Sequence, residues 1–477
     1  MTQPILDRRS TLALATGAMA AAASPLCAQP AVARYQVRFD PGATLRFFIQ
    51  AELPAVGERL SMGDSYPAEL PEMARQGWPA LVSGFSAHDS AGPLPVALER
   101  NRWRLSRPAQ GVVRLAYQVD LGLFARAGWS SPLESAVVDD GVLAVSGRAL
   151  FITGSDGPAE VQYVLPPGWR SVMPWNLTAG ERYRVDSRTR LQDNMLAFSK
   201  RPPLIVGSAG FRLQVVPMGH WRPLEAPIRD ALQRIVRRET AWVGWRGEDR
   251  FNVILTPVAD SGGEAYHQSL AMCFAAPTVA NRPDWANFLA HEIFHYWNGS
   301  RLRGADYPSS QWFQEGFTEY TANLTLLAGR IAPPAWFLGK LTGHVANAAR
   351  LETTLENIGT RKGPPLYSSG ALVAFAFDTA IRRASGGKRN LGDFFRNLWR
   401  ATDGAAKPYA WADIRLALEA TAAGDWQSFY ERHIKGPEKL PLARVFADAG
   451  LKLESGGVSI DPADMAARAV WRSLERG

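Results

Sequence analysis

A chain of 477 residues, 46% hydrophobic and 21% charged, carries enough apolar content for two or three packed domains, which excludes a disordered or fibrous protein. Its formal net charge of +8 is scattered without a dense cluster, and Arg237-Arg238 and Arg382-Arg383 read as helix surfaces, so nucleic-acid binding is not expected.

Residues 1–28 read as a cleavable export signal. Arg8-Arg9 precede an apolar run over 12–23, and Leu26-Cys27-Ala28 offers a cleavage site before Gln29. The arginine pair makes the signal twin-arginine-like, although Ser10-Thr11-Leu12 departs from the usual residues after such a pair. The run is too short to span a bilayer, and a later apolar stretch over 371–377 is cut at Asp378, so no membrane span is expected. A periplasmic or secreted protein follows. Losing the signal removes Cys27 and leaves Cys273 alone, a small buried hydrophobe that cannot form an internal disulfide.

From 29 to 201 the pattern is strand-like. Residues 34–39, 44–51, 112–119 and 160–165 alternate in polarity, and Pro41-Gly42 and Pro166-Pro167-Gly168 punctuate them, which predicts an antiparallel β domain. The stretch 202–330 changes character. A strand over 210–217, an amphipathic helix over 227–242 and a short apolar strand over 251–255 lead to Gly262-Gly263-Glu264-Ala265. That glycine-rich strand lies where extended peptide backbone can pair with a sheet edge.

The rest of the chain is organised around 285–318. His291-Glu292-Ile293-Phe294-His295 is an H-E-x-x-H pattern on a helix that apolar residues place over 288–297 and Asn298-Gly299 ends. Residues four apart share a helical face, so His291 and His295 can offer two imidazoles to one Zn2+ ion, with Glu292 placed as general base. Catalytic zinc takes three protein ligands, and Glu315, on a helix over 311–327, supplies the third. Glu319, one turn on, can accept the remaining N–H of His291 and fix its tautomer. Gly316 within that helix predicts close packing against the helix of the two histidines. Beyond 330 the pattern to 477 is mainly helical, with helices over 335–351 and 366–385; His344 and His433 read as surface or packing residues.

The run His291 to Arg303, followed by Trp312-Phe313-Gln314-Glu315-Gly316-Phe317-Thr318-Glu319-Tyr320, resembles the glycyl aminopeptidase family of zinc metallopeptidases, related more distantly to the aminopeptidase N family. The resemblance implies an α+β protein: an N-terminal antiparallel β domain, then a thermolysin-like domain with one zinc ion, completed by a helical C-terminal half. It implies peptide substrates and an aminopeptidase activity on small N-terminal residues; a monomer is expected. Tyr367, in Tyr367-Ser368-Ser369-Gly370-Ala371, matches the segment whose tyrosine donates to the oxyanion in related aminopeptidases. Tyr320 is its competitor, but helical geometry turns it about 100° from Glu319, towards the core.

Two departures stand out. The family's Gly-Gly-Leu-Glu-His strand uses its glutamate to bind the substrate's amino terminus; here that position is Ala265, and Glu264 falls one residue early, on the other face of a regular strand. Gly262, Gly263 and Glu264 are therefore the candidate substrate-binding residues, with the exopeptidase preference open. The tail over 429–453 resembles the family's last segment, yet too few residues follow Leu453 for the PDZ domain that many members carry. The rival to a peptidase is a catalytically weak peptide-binding or structural protein on the same scaffold.

Overall fold

The computed structural model describes residues 32–42, 45–54, 56–126, 136–359, 363–461 and 464–477; the signal expected over 1–28 lies outside them. Three sheets stack face to face, and the helices cover the last one. The first sheet has eight strands. Its centre is β1 (Ala33–Asp40) and β2 (Arg46–Leu53) with β3 (Val113–Asp120) beside β2. The second has four, with β4 (Val142–Ser146) at its heart. Strand β5 (Ala159–Val164) returns to the first sheet beside β1, and β6 (Met195–Ser199) pairs with β4 in the second.

Polarity alternation explains the layering. In β1, Tyr35, Val37 and Phe39 are buried while the residues between them face solvent, as expected of an outer sheet with one wet side. In β4 and β6 every residue is buried. Leu143, Val145, Leu196 and Phe198 join the core shared with the eight-stranded sheet, whereas Val142, Ala144, Met195 and Ala197 join a second core on the opposite face. Within these two sheets pairing is antiparallel except where β1 runs parallel to β5. Alternation reports which face is buried and carries no strand direction, so this parallel pair was not legible in advance.

The third sheet comprises β7 (Leu204–Ser208), β8 (Phe211–Pro217), β9 (Asp249–Leu255), β10 (Gly262–Ala265) and β11 (Ser269–Cys273), in the order β7-β8-β9-β11-β10. Ile254 and Ala271 face the four-stranded sheet, while Phe251, Val253, Leu255, Leu270 and Met272 face the helices. Asn252, fully buried between the two sheets, is satisfied by donating to the carbonyls of Val172 (2.9 Å) and Met195 (3.3 Å). Cys273, on β11, is 2% exposed, as its reading as a buried hydrophobe requires.

Among the helices above this sheet, five shape the site: α1 (Glu225–Val243), α2 (Arg282–Phe294), α3 (Tyr307–Ala328), α4 (Pro334–Ala348) and α5 (Pro364–Ala384). Helix α2 opens with Pro283 and Asp284 in its first turn, residues suited to unpaired N–H groups and the positive end of the dipole. It stops earlier than the apolar pattern suggests. After Phe294 the ladder tightens, with Tyr296 N bonding Ile293 O and Trp297 N bonding Phe294 O. Helix α3 begins at Asp306, whose side chain caps Ser309 N at 3.2 Å.

Gly316 does pack closely, but against α5 and not against α2. A Cβ on Gly316 would stand 2.2 Å from Gly370 Cα, and one on Gly370 would stand 2.2 Å from the Trp312 carbonyl oxygen. A lone glycine signals a close approach without naming its partner, which is why the sequence pointed to the wrong helix. This crossing brings α5, and Tyr367 one turn before Gly370, onto the helix of Glu315. We expect Gly316→Ala to force the two backbones apart and lower unfolding stability by about 1–3 kcal/mol, read from denaturant titration. An unchanged midpoint would mean that the crossing is loose.

Candidate metal centre

The i, i+4 spacing on α2 turns His291 and His295 to one face, with their Nε2 atoms 3.1 Å apart. From α3, Glu315 brings Oε2 to 3.5 Å from His291 Nε2 and 3.3 Å from His295 Nε2. The three ligand atoms lie within 4.8 Å of one another, and all three residues are at least nine-tenths buried. Asn298 holds the two helices in this relation. Its Nδ2 donates to the carbonyls of Phe313 (3.3 Å) and Gln314 (3.1 Å) and to Thr318 Oγ1 (3.1 Å).

Both outer ring nitrogens are engaged. His291 Nδ1 lies 3.1 Å from Glu319 Oε2, and His295 Nδ1 lies 3.0 Å from the Asn298 carbonyl oxygen. Those partners only accept, so each neutral ring carries its proton on Nδ1 and turns the Nε2 lone pair inwards. Two nitrogen lone pairs and a carboxylate oxygen thus converge with no donor among them. A cation fits such a set, and two nitrogens with one oxygen suit Zn2+. Burial opposes charge on His291, but its hydrogen bonds to Glu315 and Glu319 and the nearby Glu292 outweigh burial and raise its pKa to about 10. Burial likewise resists charge on Glu315, yet His295 and His291 hold its carboxyl far below the usual range.

Glu292 follows His291 and is 9% exposed, at the floor of a cavity of about 790 Å³ that Gly262, Gly263 and Tyr367 also line. Strand β10 passes directly over it: a Cβ on Gly263 would come within 3.2 Å of Glu292 Oε1. Glycine there lets the sheet edge approach the carboxylate. Pairing of β10 with β11 is regular from Gly262 opposite Cys273 to Ala265 opposite Leu270. With no bulge, Glu264 takes the face opposite Gly263, and it is not among the residues lining the cavity. Gly262 and Gly263 are thus brought to the cleft, and Glu264 is not.

Tyr367 sits with its ring centroid 5.9 Å from that of His291. Burial chiefly, reinforced by Glu315, Glu292 and Glu319, pushes its pKa up, so the hydroxyl stays protonated as a donor. Tyr320 points elsewhere, donating to Asp378 Oδ2 at 2.7 Å in the core.

The arrangement around Glu319 was not legible in the sequence. Its Oε1 accepts from Asn323 Nδ2 (3.1 Å) and lies 3.5 Å from Lys340 Nζ. His344, read as a surface or packing residue, is buried yet lines the cleft, bridging Ser368 Oγ (3.1 Å) and Asn323 Oδ1 (3.0 Å). Burial, aided by Lys340, lowers its pKa to about 4, which keeps it neutral. The available signal was Trp336, Gly339, Lys340, Gly343 and His344 recurring on one helical face. His433 is a packing residue as read, its Nδ1 3.1 Å from the Glu438 carbonyl oxygen.

Residues 284–359 match the family model of the M61 glycyl aminopeptidases. No curated protein matches the chain. Among solved structures, an aminopeptidase N family protein from Idiomarina loihiensis superposes with a TM-score of 0.72 at 18% identity, covering 89% of this chain and 79% of that one. An M1 zinc metallopeptidase variant from Deinococcus radiodurans gives 0.52 at 14% identity, covering 86% and 94%. A two-domain M1 zinc metallopeptidase variant bound to L-tryptophan gives 0.52 at 13% identity, with the same coverage. At such identities the likeness is one of fold. No helix among the described residues is long and apolar enough to cross a membrane. The segment bearing the histidines and Glu315 is therefore related to the M61 glycyl aminopeptidases, on a fold shared with the aminopeptidase N family and M1 zinc metallopeptidases.

Proposed function

We propose that the protein is a zinc-dependent peptidase. The observation that carries this reading is the convergence of His291 Nε2, His295 Nε2 and Glu315 Oε2 beside the Glu292 carboxylate, in one cleft with the Tyr367 phenol. Those three groups would hold zinc, which would supply a Lewis acid for the scissile carbonyl and for water. Glu292 takes the proton of the attacking water on its carboxylate and returns it to the leaving nitrogen. Tyr367 donates its hydroxyl to the carbonyl oxygen as negative charge gathers there, a contribution of about 3 kcal/mol to lowering the barrier. Glu319 holds the His291 ring by its Nδ1 proton. The edge strand β10 pairs with extended substrate backbone.

The resemblance adds an aminopeptidase activity on small N-terminal residues. The Glu264 geometry favours a cleft less tied to a free amino terminus, since the acid lies on the far face of β10. Hydrolysis of free and N-acetylated forms of one dipeptide substrate separates the two, with zinc content measured on the same samples. Cleavage of both, abolished by a chelator, is expected. A strict need for the free amine would pass that recognition to Asp284, which also lines the cleft. Cleavage of neither at full zinc occupancy would leave a peptide-binding protein. We also infer export to the periplasm or beyond, on the strength of Arg8-Arg9 and the apolar run after them.

A further inference from the structure

We propose that the cleft-facing side of α4 is the side-chain wall of the substrate site, and that it selects a bulky apolar residue next to the scissile bond. The proposal rests on the peptidase reading and names its substrate class.

Trp336, Gly339, Lys340, Gly343, His344 and Asn347 are spaced three, one, three, one and three apart, which places them along one face of α4. All six line the cavity that holds His291, Glu292 and Tyr367. Gly339 and Gly343 are exposed, and a Cβ added to either would meet nothing within 4 Å. Neither has a positive φ. They differ in this from Gly316 and Gly370, where backbone crowds the missing Cβ. Glycine is the poorest helix former after proline, so two in mid-helix weaken α4 with no turn or packing contact to require them. What they provide is clearance: one helical turn apart, they bare a strip of backbone about 5.4 Å long.

That strip is flanked by apolar rings. Trp336 from α4 and Phe288 from α2 both line the cavity and are only partly buried. A large apolar side chain laid on the strip would remove its own surface and both rings from water, whereas glycine or alanine would leave the space wet. Lys340 sharpens the choice. Its ammonium lies 3.5 Å from Glu319 Oε1 and 5.3 Å from the Trp336 ring centroid, and Asp284 accepts from Trp336 Nε1 at 3.0 Å, so the charges at the edge of the strip are already paired and the strip itself offers a side chain apolar contact. The resemblance points to small residues; the shape of this wall points to large apolar ones.

The test uses the zinc-loaded full chain and peptides that differ at one residue, Gly, Ala, Leu, Phe or Lys, placed in turn on each side of the scissile bond. For one of those sides, Leu and Phe should exceed Gly and Ala in kcat/KM by at least about tenfold, with Lys below Leu and Phe because apolar contact does not repay stripping water from an ammonium. Gly339→Leu and Gly343→Leu should cut that bulky-to-small ratio by at least about tenfold. Gly339→Ala and Gly343→Ala should melt at or above the wild-type temperature, which separates blocked space from misfolding. A wild-type preference for Gly and Ala on both sides, or an unchanged ratio in both leucine variants, overturns the proposal. Should no peptide be cleaved, the peptidase reading fails on its own, and the affinities of the same peptides then read the wall by the same ratios.

Discussion

Glu292→Gln is expected to bind zinc as the wild type does and to lose about 10²–10⁴-fold in kcat, the usual worth of a positioned general base. The argument is geometric. Glu292 is not one of the three converging ligands, so replacing its carboxylate removes no donor from the ion. It sits beneath β10, where a Cβ on Gly263 would stand 3.2 Å from its Oε1, so glutamine of almost the same shape should fit without moving the strand. The amide cannot take a proton from water at neutral pH, so turnover should fall while peptide affinity persists. Metal analysis beside steady-state kinetics decides the matter. Undiminished kcat would strip Glu292 of its role as base; lost zinc would make it a ligand.

The second large effect is expected from His295→Ala. Without that ring, one nitrogen lone pair and one carboxylate oxygen remain from the three convergent donors, and metal content should drop well below one ion per chain. Activity should fall with it. A calorimetric control adds a readout independent of turnover. An ion that binds only the folded chain raises its melting temperature by mass action, so zinc should stabilise the wild type and leave His295→Ala unmoved. Full occupancy in the variant would show that the ion is held elsewhere.

What could be read in advance follows the distance over which each signal acts. His291 and His295 are four residues apart on one helix, and Glu315 and Glu319 are four apart on another, so their shared faces follow from helical geometry alone. The orientation of Glu264 likewise follows from alternation along β10, which the regular pairing bears out. Failures came where a residue's meaning depends on a distant segment. Gly316 announced a contact but could not say that Gly370, on α5, would make it. His344 is a lone histidine in its helix, and only folding shows it reaching Ser368 and Asn323 inside the cleft. Gly339 and Gly343 look like helix weaknesses until the cavity beside them is seen. The parallel partnership of β1 and β5 joins strands more than a hundred residues apart, which no local pattern encodes.

Where α3 crosses α5, main chain meets main chain at Gly316 and Gly370, and Tyr367 rides one turn from that joint. A phenol mounted in this way takes its backbone position from the crossing of two helices. Substitutions elsewhere on either helix that spare Glu315, Glu319 and Tyr367 can accumulate without moving the joint. An engineer wishing to shift the hydroxyl by a fraction of an ångström would have to recut the joint itself, altering both glycines together.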